Sequence, residues 1–323
     1  MLELRPRLSQ IARLQASGAK YILVFNIPDV GATPQFAGPL ASSVTALAAG
    51  YNTTLFTGLQ GAGIKVIPVD AFALLTDVRA NAAAFGFTNT TATACNLALT
   101  QGTSLFCSGA TLTAAGAATS YLFADGVHPT TGAHRIVADF VKSLIEGPNA
   151  YSMMAEVPLS SRAAHIRTLD EGVRQGQSQQ VGRLSAFAGF DGSKYDVSGT
   201  SLSPQTDTKN RAVTVGVTMR ASEALTVGLG VGSTKAEANM GSVGGFDVKE
   251  TALSFFGNVK SNGWYANFTA TGANLKFDNV RRSVVLGPVT RVATSSTKGS
   301  NGSASVMGGY DFTIGSLEVG PFV

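Results

Sequence analysis

The chain contains no apolar run that approaches the roughly 18 to 20 continuous residues of a membrane-spanning helix, which excludes a helical span. Its opening, Met1 to Leu8, also lacks the apolar core and small-residue cleavage site of a signal peptide. Only 14% of the 323 residues are charged, against roughly a quarter in ordinary soluble domains. These absences leave room for a protein that crosses a membrane with strands.

Clustered positive charge is absent as well. The formal net charge is +4, but Lys and Arg are scattered along the chain instead of gathering in one stretch. A nucleic-acid interface needs a basic patch or stripe, so no nucleic-acid partner is expected.

Helix and strand patterns alternate over the first half of the chain. This alternation predicts a parallel sheet covered by helices. Apolar residues at helical spacing predict helices, and short β-rich runs predict strands between them. In chain order the predicted elements are a helix through Leu4, Leu8, Ile11 and Leu14, a strand Tyr21 to Phe25, a helix Ser42 to Gln60, a strand Ile64 to Val69 and a helix Ala71 to Asn81. From Phe85 to Ser120 no period is visible, which predicts a long irregular excursion.

A carboxylate and an imidazole follow this excursion at close spacing. Asp125 lies three residues before His128, after a short apolar run and before a predicted helix, Gly132 to Glu146. On a loop this spacing allows Asp125 to accept the Nδ1 proton of His128 and leaves Nε2 free to act as a general base. An ordinary surface turn is the competing interpretation, because Asp, Gly, His and Pro are common loop residues.

The second half changes from helical to strand periodicity. Ser160 to about Gln175 predicts a polar helix, and His165 within it is expected to be solvated or to face a lumen. From Arg183 onward, segments of about ten residues alternate an apolar face with a small or polar one, as in Val213 to Met219 and Leu225 to Gly232. This pattern is typical of a transmembrane β-barrel, although a soluble β-sandwich gives a similar alternation. About seven strands are predicted, with long polar connections at Ser198 to Asn210 and Gly287 to Asn301.

Two stretches of the first half match a known family. Phe123-Ala-Asp-Gly-Val-His-Pro-Thr-Thr-Gly-Ala-His-Arg135 resembles the last conserved block of the GDSL (SGNH) esterases and lipases, and Ala16 to Pro34 is similar to a strand and loop of the same family. The part after Glu146 resembles the linker and β-barrel translocator of an autotransporter. Nearly the whole chain therefore resembles the autotransported GDSL esterases of Gram-negative outer membranes.

This resemblance implies a fold and a division of the chain. Residues 1–150 are expected to be the C-terminal part of an SGNH-hydrolase passenger, a three-layer α/β/α domain. Residues 151–181 are expected to form a linker helix that threads the barrel lumen. Residues 182–323 are expected to form the N-terminal portion of an antiparallel autotransporter β-barrel. Both ends of the family pattern are missing, which predicts a fragment.

The resemblance also implies hydrolysis of carboxylic esters by a Ser-His-Asp mechanism with Asp125 and His128 as catalytic residues. The family places its nucleophile in a Gly-Asp-Ser block, and no such triplet occurs here. Ser42, Ser43, Ser104 and Ser108 precede the pair but lie in no nucleophile motif. This chain alone is therefore expected to be inactive. The alternative is a passenger that has lost catalysis and serves adhesion or display.

The resemblance implies that the protein is exported, and disulfides are common in exported proteins. Cys95 and Cys107 are expected to form a disulfide, because no Cys or His pattern supplies further metal ligands. No cofactor is expected. The expected partners are an ester or lipid substrate, outer-membrane lipid and the barrel assembly machinery. The expected location is the outer membrane, with the passenger at the cell surface.

Overall fold

The computed structural model describes residues 4–315 and 317–323 and divides them into two units. The first unit comprises the described residues up to Gly147 together with Val284–Arg291. The second comprises Pro148–Ser283 and Val292–Val323, without the undescribed position 316.

Helices and short strands alternate in the first unit, as predicted. Its strands pair in parallel, β1 with β2 and β3 with β4, which requires the helical crossovers that the sequence pattern indicates. The elements are α1 (Leu4–Ala16), β1 (Leu23–Phe25), α2 (Ala41–Gly61), β2 (Ile67–Val69), α3 (Ala71–Ala80), β3 (Asn89–Thr93), α4 (Ala117–Ser120) and β4 (Tyr121–Phe123).

The predicted apolar faces form the cores of this unit. Ile11 from α1 packs with Val24 from β1 and with Leu55 from α2. A second cluster combines Leu74 from α3 with Phe123 from β4. The alternating pattern therefore positions β4, and with it the residues that follow β4.

The predicted irregular excursion from Phe85 to Ser120 contains more structure than expected. It includes β3 and α4, and short 3-10 helices at Ser104–Phe106 and Gly109–Thr111. The expectation was wrong because β3 is rich in Thr and short, so its pairing with β4 depends on a long-range contact that no local period reveals.

The two helices predicted on either side of residue 150 are one element in the structure. Helix α5 runs from Thr131 to Gln177 and contains Pro148 and Pro158. Proline in a helix interior removes a hydrogen bond and usually ends or kinks the helix, which is why the pattern was divided there. The part of α5 from Pro148 onward belongs to the second unit.

Long antiparallel strands make up the second unit. Among the described residues, six of them form one sheet in the order β10-β9-β8-β7-β6-β5. They are β5 (Leu184–Val197), β6 (Thr206–Arg220), β7 (Leu225–Asn239), β8 (Gly244–Ser261), β9 (Trp264–Leu286) and β10 (Val289–Tyr310), followed by the short antiparallel pair β11 (Phe312–Ile314) and β12 (Leu317–Val319). The predicted connection from Gly287 to Asn301 is therefore wrong, since most of it lies in β10.

The alternation on β6 and in the middle of β7 is inverted relative to a soluble protein. On β6, Val213 and Val215 are about half exposed, whereas Thr214 between them is buried. On β7, Leu229 and Val231 are exposed, and Gly230 between them is buried. A β-sandwich buries its apolar face, so that alternative is wrong for this chain. An apolar outer face and a polar inner face are what a membrane β-barrel requires.

The inner face of the sheet packs around the second part of α5. Arg162 forms a buried ion pair with Glu250 of β8, through Nε to Oε1 at 3.0 Å and Nη2 to Oε2 at 2.9 Å. Nη2 of the same guanidinium also contacts Asn301 of β10. The helix is thus held inside the sheet by paired polar groups, as buried charges require.

His165 of α5 faces the same interior. Its Nδ1 lies 2.8 Å from the Thr214 hydroxyl and its Nε2 lies 2.8 Å from the Ser254 hydroxyl. The side chain is buried, so the lumen-facing expectation is confirmed and the solvated one is not.

Within the described residues, no helix is both long enough and apolar enough to cross a lipid bilayer.

Candidate functional site

The sequence-predicted pair lies on a tight loop directly after β4. The loop is closed by backbone bonds from Ala124 N–H to the His128 carbonyl (2.7 Å) and from Thr130 N–H to the Leu122 carbonyl (3.1 Å). The Thr130 hydroxyl donates to the Tyr121 carbonyl at 2.7 Å, and helix α5 begins at the next residue. The loop is therefore fixed at both ends by the strand that it leaves and the helix that it enters.

The structure brings Asp125 and His128 into direct contact. Nδ1 of His128 lies 2.9 Å from each of the two carboxylate oxygens of Asp125. The carboxylate is almost fully buried, at 4% side-chain exposure, while the imidazole is 63% exposed. This is the arrangement that the spacing predicts: a buried acid orients an accessible base.

Backbone donors surround the carboxylate of Asp125. Oδ1 accepts hydrogen bonds from the N–H groups of Val127 (3.0 Å) and His128 (2.8 Å). Burial alone would raise the pKa of Asp125. The hydrogen bonds from Ser104 and from the loop backbone outweigh burial and hold this pKa well below its usual range. Asp125 is therefore an anion at neutral pH, and an anion stabilises the imidazolium that forms when His128 takes up a proton.

Ser104 is a contact that sequence reasoning missed. Its backbone N–H donates to Oδ2 of Asp125 at 2.7 Å from a position 21 residues earlier in the chain. The sequence contains no signal for this contact, because a backbone N–H belongs to every residue except proline.

Cys95 and Cys107 are joined by a disulfide in the structure, with their Cα atoms 5.8 Å apart. The bond closes the loop that carries Ser104. Cys95 N–H donates to the carbonyl of Ala124 at 2.9 Å, and Cys107 N–H donates to the carbonyl of Ser104 at 3.0 Å. One cysteine is therefore hydrogen-bonded to the residue before Asp125, and the other is hydrogen-bonded to Ser104, which contacts Asp125.

A cavity of about 500 Å³ opens beside the exposed imidazole. It is lined by mixed polar and apolar groups, including those of Ser104, Cys107, Leu112, His128, Thr131 and His134. A cavity of this size with a few convergent polar groups is large enough for a small-molecule ligand next to the imidazole.

His134, six residues beyond His128, has a structural contact. Its Nδ1 lies 3.1 Å from the carbonyl of Thr130, the residue directly before α5. In the part of the chain that the structure describes, no group of three or more His, Cys, Asp or Glu residues is placed to hold a metal ion.

Ser104 and Ser108 line the same cavity as His128, but in the described part of the chain neither is hydrogen-bonded to the imidazole. Ser104 contacts Asp125 on the carboxylate side of the pair. Ser108 caps the 3-10 helix at Gly109–Thr111 through its exchange with Thr111. The described contacts thus pair Asp125 with His128 and include no hydrogen bond from a serine to the imidazole.

Comparison with known proteins identifies both units. The family model for GDSL-like lipase/acylhydrolase matches residues 2–141, and the model for the autotransporter β-domain matches residues 186–323. The chain therefore combines a GDSL-type hydrolase domain with the translocator of an autotransporter, and its six-stranded sheet is part of a β-barrel. Together the two matches have the domain order of an autotransported GDSL esterase, as the sequence resemblance predicts.

Individual relatives are similar over most of this chain. Esterase EstA of Pseudomonas aeruginosa and esterase EstA of Pseudomonas putida are each 29% identical over 308 residues, which is 91% of this chain and 46% of theirs. Lipase 1 of Photorhabdus luminescens is 23% identical over 255 residues, 77% of this chain and 36% of its own. The chain thus spans slightly less than half the length of the EstA esterases.

Among solved structures, the translocator domain of autotransporter NalP from Neisseria meningitidis matches with a TM-score of 0.35 and 16% identity. That match covers 54% of this chain and 58% of the NalP chain.

Proposed function

We propose that this protein is the surface esterase of an outer-membrane autotransporter, and that Asp125 and His128 are the acid and base of its Ser-His-Asp mechanism. The observation that carries the proposal is the contact of His128 Nδ1 with both oxygens of a buried, ionised Asp125. With Nδ1 occupied, Nε2 is the nitrogen that takes the proton of an attacking hydroxyl and returns it to the leaving alcohol.

The nucleophile is the missing part of this mechanism. A serine hydroxyl and oxyanion donors are needed for acyl transfer, and the family's Gly-Asp-Ser block does not occur in these 323 residues. We propose that this chain by itself is inactive and that a serine-bearing segment completes the site. The substrate class is a carboxylic ester or lipid, and no cofactor takes part.

Location and organisation follow from the translocator. We propose a passenger over residues 1–150 at the cell surface, a linker helix over 151–181 and a barrel portion over 182–323 in the outer membrane. The exposed apolar faces of β6 and β7 would contact outer-membrane lipid. Assembly of such a barrel would depend on the barrel assembly machinery.

The test is ester hydrolysis by whole cells that display a full-length version of the protein, with a short-chain nitrophenyl ester as substrate. Surface activity that is lost in His128→Ala supports the proposal. A full-length version that lacks a Gly-Asp-Ser block and remains inactive supports the alternative, a passenger used for adhesion or display. Equal activity of wild type and His128→Ala contradicts the assignment of the base.

A further inference from the structure

The loop between Cys95 and Cys107 contacts the acid of the proposed site from outside the conserved block. Asp125 takes two backbone donors on Oδ1 from its own loop, Val127 and His128. Its other oxygen, Oδ2, takes the N–H of Ser104 at 2.7 Å. Nδ1 of His128 contacts both oxygens from the movable imidazole, whereas the Ser104 N–H holds Oδ2 from the backbone. A bond on the second oxygen fixes the plane of the group.

The disulfide turns this contact into a closed ring. The ring starts at Asp125, whose carboxylate accepts the hydrogen bond from Ser104, and follows the chain from Ser104 to Cys107. The disulfide then leads to Cys95. The Cys95 N–H closes the ring at the carbonyl of Ala124, the residue before Asp125. Covalent bonds and two hydrogen bonds form every link. Breaking the disulfide removes this short link. Ser104 is then joined to Cys95 only through residues 96–103, a longer connection.

We infer that the disulfide-closed loop holds the Asp125 carboxylate in plane, with Ser104 as the positioning residue that keeps His128 in its Nδ1–H tautomer. The inference rests on the proposed function, in which Nε2 of His128 acts as the base. The Nδ1–H tautomer leaves Nε2 unprotonated for that role. In metal sites, the groups hydrogen-bonded to a ligating histidine fix its tautomer and ring orientation in the same manner. A wrong tautomer of such a histidine is costly even when the geometry is intact.

The position of Ser104 allows a direct test of its N–H. Ser104 is the first residue of the 3-10 helix Ser104–Phe106, and Thr103 before it is extended, with φ −133° and ψ 151°. Proline tolerates the first helical position and requires an extended residue before it, so Ser104→Pro removes the N–H with little strain. It also removes the hydroxyl, which likewise interacts with Asp125, so the difference between Ser104→Pro and Ser104→Ala reports the N–H. Ser104→Ala keeps the N–H and removes only the hydroxyl. Ser104→Thr keeps both.

The next 3-10 helix provides a matched control. Gly109 is the first residue of Gly109–Thr111, and Ser108 before it is extended, with φ −139° and ψ 172°. A Cβ at Gly109 would meet open space. Gly109→Pro therefore makes the same chemical change in the same loop region without touching Asp125.

The experiment measures the ¹⁵N chemical shifts of the histidine rings near neutral pH in the full-length protein, labelled at histidine and purified in detergent. These shifts report the tautomer without any catalytic turnover, so failure of ester hydrolysis does not affect the result. His134 and His165 serve as internal references, because their contacts lie outside the ring.

We expect the Nδ1–H tautomer of His128 to dominate in wild type, Ser104→Thr and Gly109→Pro. In Ser104→Pro and in the Cys95→Ala/Cys107→Ala pair, it should lose its majority to the Nε2–H form. Ser104→Ala should lie between these groups. The reference histidines should keep their shifts.

Unchanged His128 shifts in both Ser104→Pro and the cysteine pair would overturn the inference. A change of the His128 shifts in Ser104→Pro but not in the cysteine pair would overturn the role of the disulfide. The role of Ser104 as positioning residue would stand. If Ser104→Pro also moves the reference histidines, its fold is altered, and the cysteine pair together with Ser104→Ala decides the outcome in the same way.

Discussion

Gly232 of β7 lies directly against the imidazole of His165, so closely that a Cβ at this position would overlap Nδ1 and Cε1 of the ring. Its neighbour Gly230 is in the same relation to Leu169, one turn further along α5. In the Gly-Leu-Gly-Val-Gly stretch of β7, Gly230 and Gly232 therefore make room for the helix inside the sheet.

This close approach predicts that Gly232→Ala destabilises the β-domain. The added methyl group must displace an imidazole that is held on both nitrogens, and overpacking of this kind costs about 1–3 kcal/mol. Gly272→Ala on the outer face of β9 is the matched control, because a Cβ there meets open space. Urea unfolding in lipid vesicles, in a version with a complete β-domain, measures both free energies. Equal stability of the two variants would contradict the packing role.

The ion pair between Arg162 and Glu250 predicts a non-additive pair of substitutions. Arg162→Met leaves a buried carboxylate without its partner, which costs about 3–5 kcal/mol of the free energy of unfolding. The double variant Arg162→Met/Glu250→Leu should recover much of this loss. Lys235→Ala, which breaks the exposed pair with Glu237, should change stability little. A double variant as unstable as the single one would show that the pair is not held as described.

The proposed base predicts a large kinetic effect in a full-length version. His128→Ala should lower kcat/KM for a nitrophenyl ester by several orders of magnitude, because the nucleophile loses its base. Asp125→Asn should cost somewhat less, through the wrong tautomer. Arg135→Ala, an exposed change on α5, is the control and should retain activity. Near-normal turnover in the His128 variant would remove this site from consideration.

The oxidised state of the loop can be checked in protein recovered from the cell envelope. We expect Cys95 and Cys107 to be linked to each other there, and a bond that closes so short a loop contributes at most about 3 kcal/mol. Mass spectrometry of a non-reduced digest detects the linked peptide. Two freely alkylated thiols in envelope material would count against both the bond and the export of this domain.

Expressed by itself with an export signal, the 323-residue chain should neither hydrolyse esters nor form a stable barrel. In the described part of the sheet, β5 has one neighbouring strand, and β10 has β9 and, only at its end, the bridge of Gly309 to Phe322. The remaining unpaired backbone groups cost several kcal/mol each in hydrocarbon. An ester assay and a gel test for a heat-modifiable, protease-resistant band measure both outcomes. Esterase activity would show that a serine of this chain is the nucleophile. A resistant band would show that several chains close the barrel together.

Much of this architecture was predictable because the signals are local. The helices through Leu4 to Leu14 and from Ser42 to Gln60 end within one or two residues of α1 and α2, since their apolar spacing and the Gly18 stop act over a few residues. The alternation on β6 and β7 predicted strands with one apolar side. The pairing of Asp125 with His128 was predictable as well, because three residues of loop separate them.

Other features depended on contacts between distant residues. The pattern on β6 fits a sandwich and a barrel equally, and only the burial of Thr214 beside exposed Val213 and Val215 distinguishes them. Continuity of α5 through Pro148 and Pro158 was hidden, because proline propensity is local while the packing around the helix is not.

The sequence by itself determined the order of helices and strands, the pairing of Asp125 with His128 and the resemblance to the autotransported GDSL esterases, because each depends on residue types at short spacing. The tertiary structure alone decided which face of the sheet is the interior, why β7 is rich in glycine, and that the backbone of Ser104 contacts Asp125. These features arise where segments far apart in the chain meet, and a backbone N–H or a missing side chain leaves no mark in the sequence that identifies its partner.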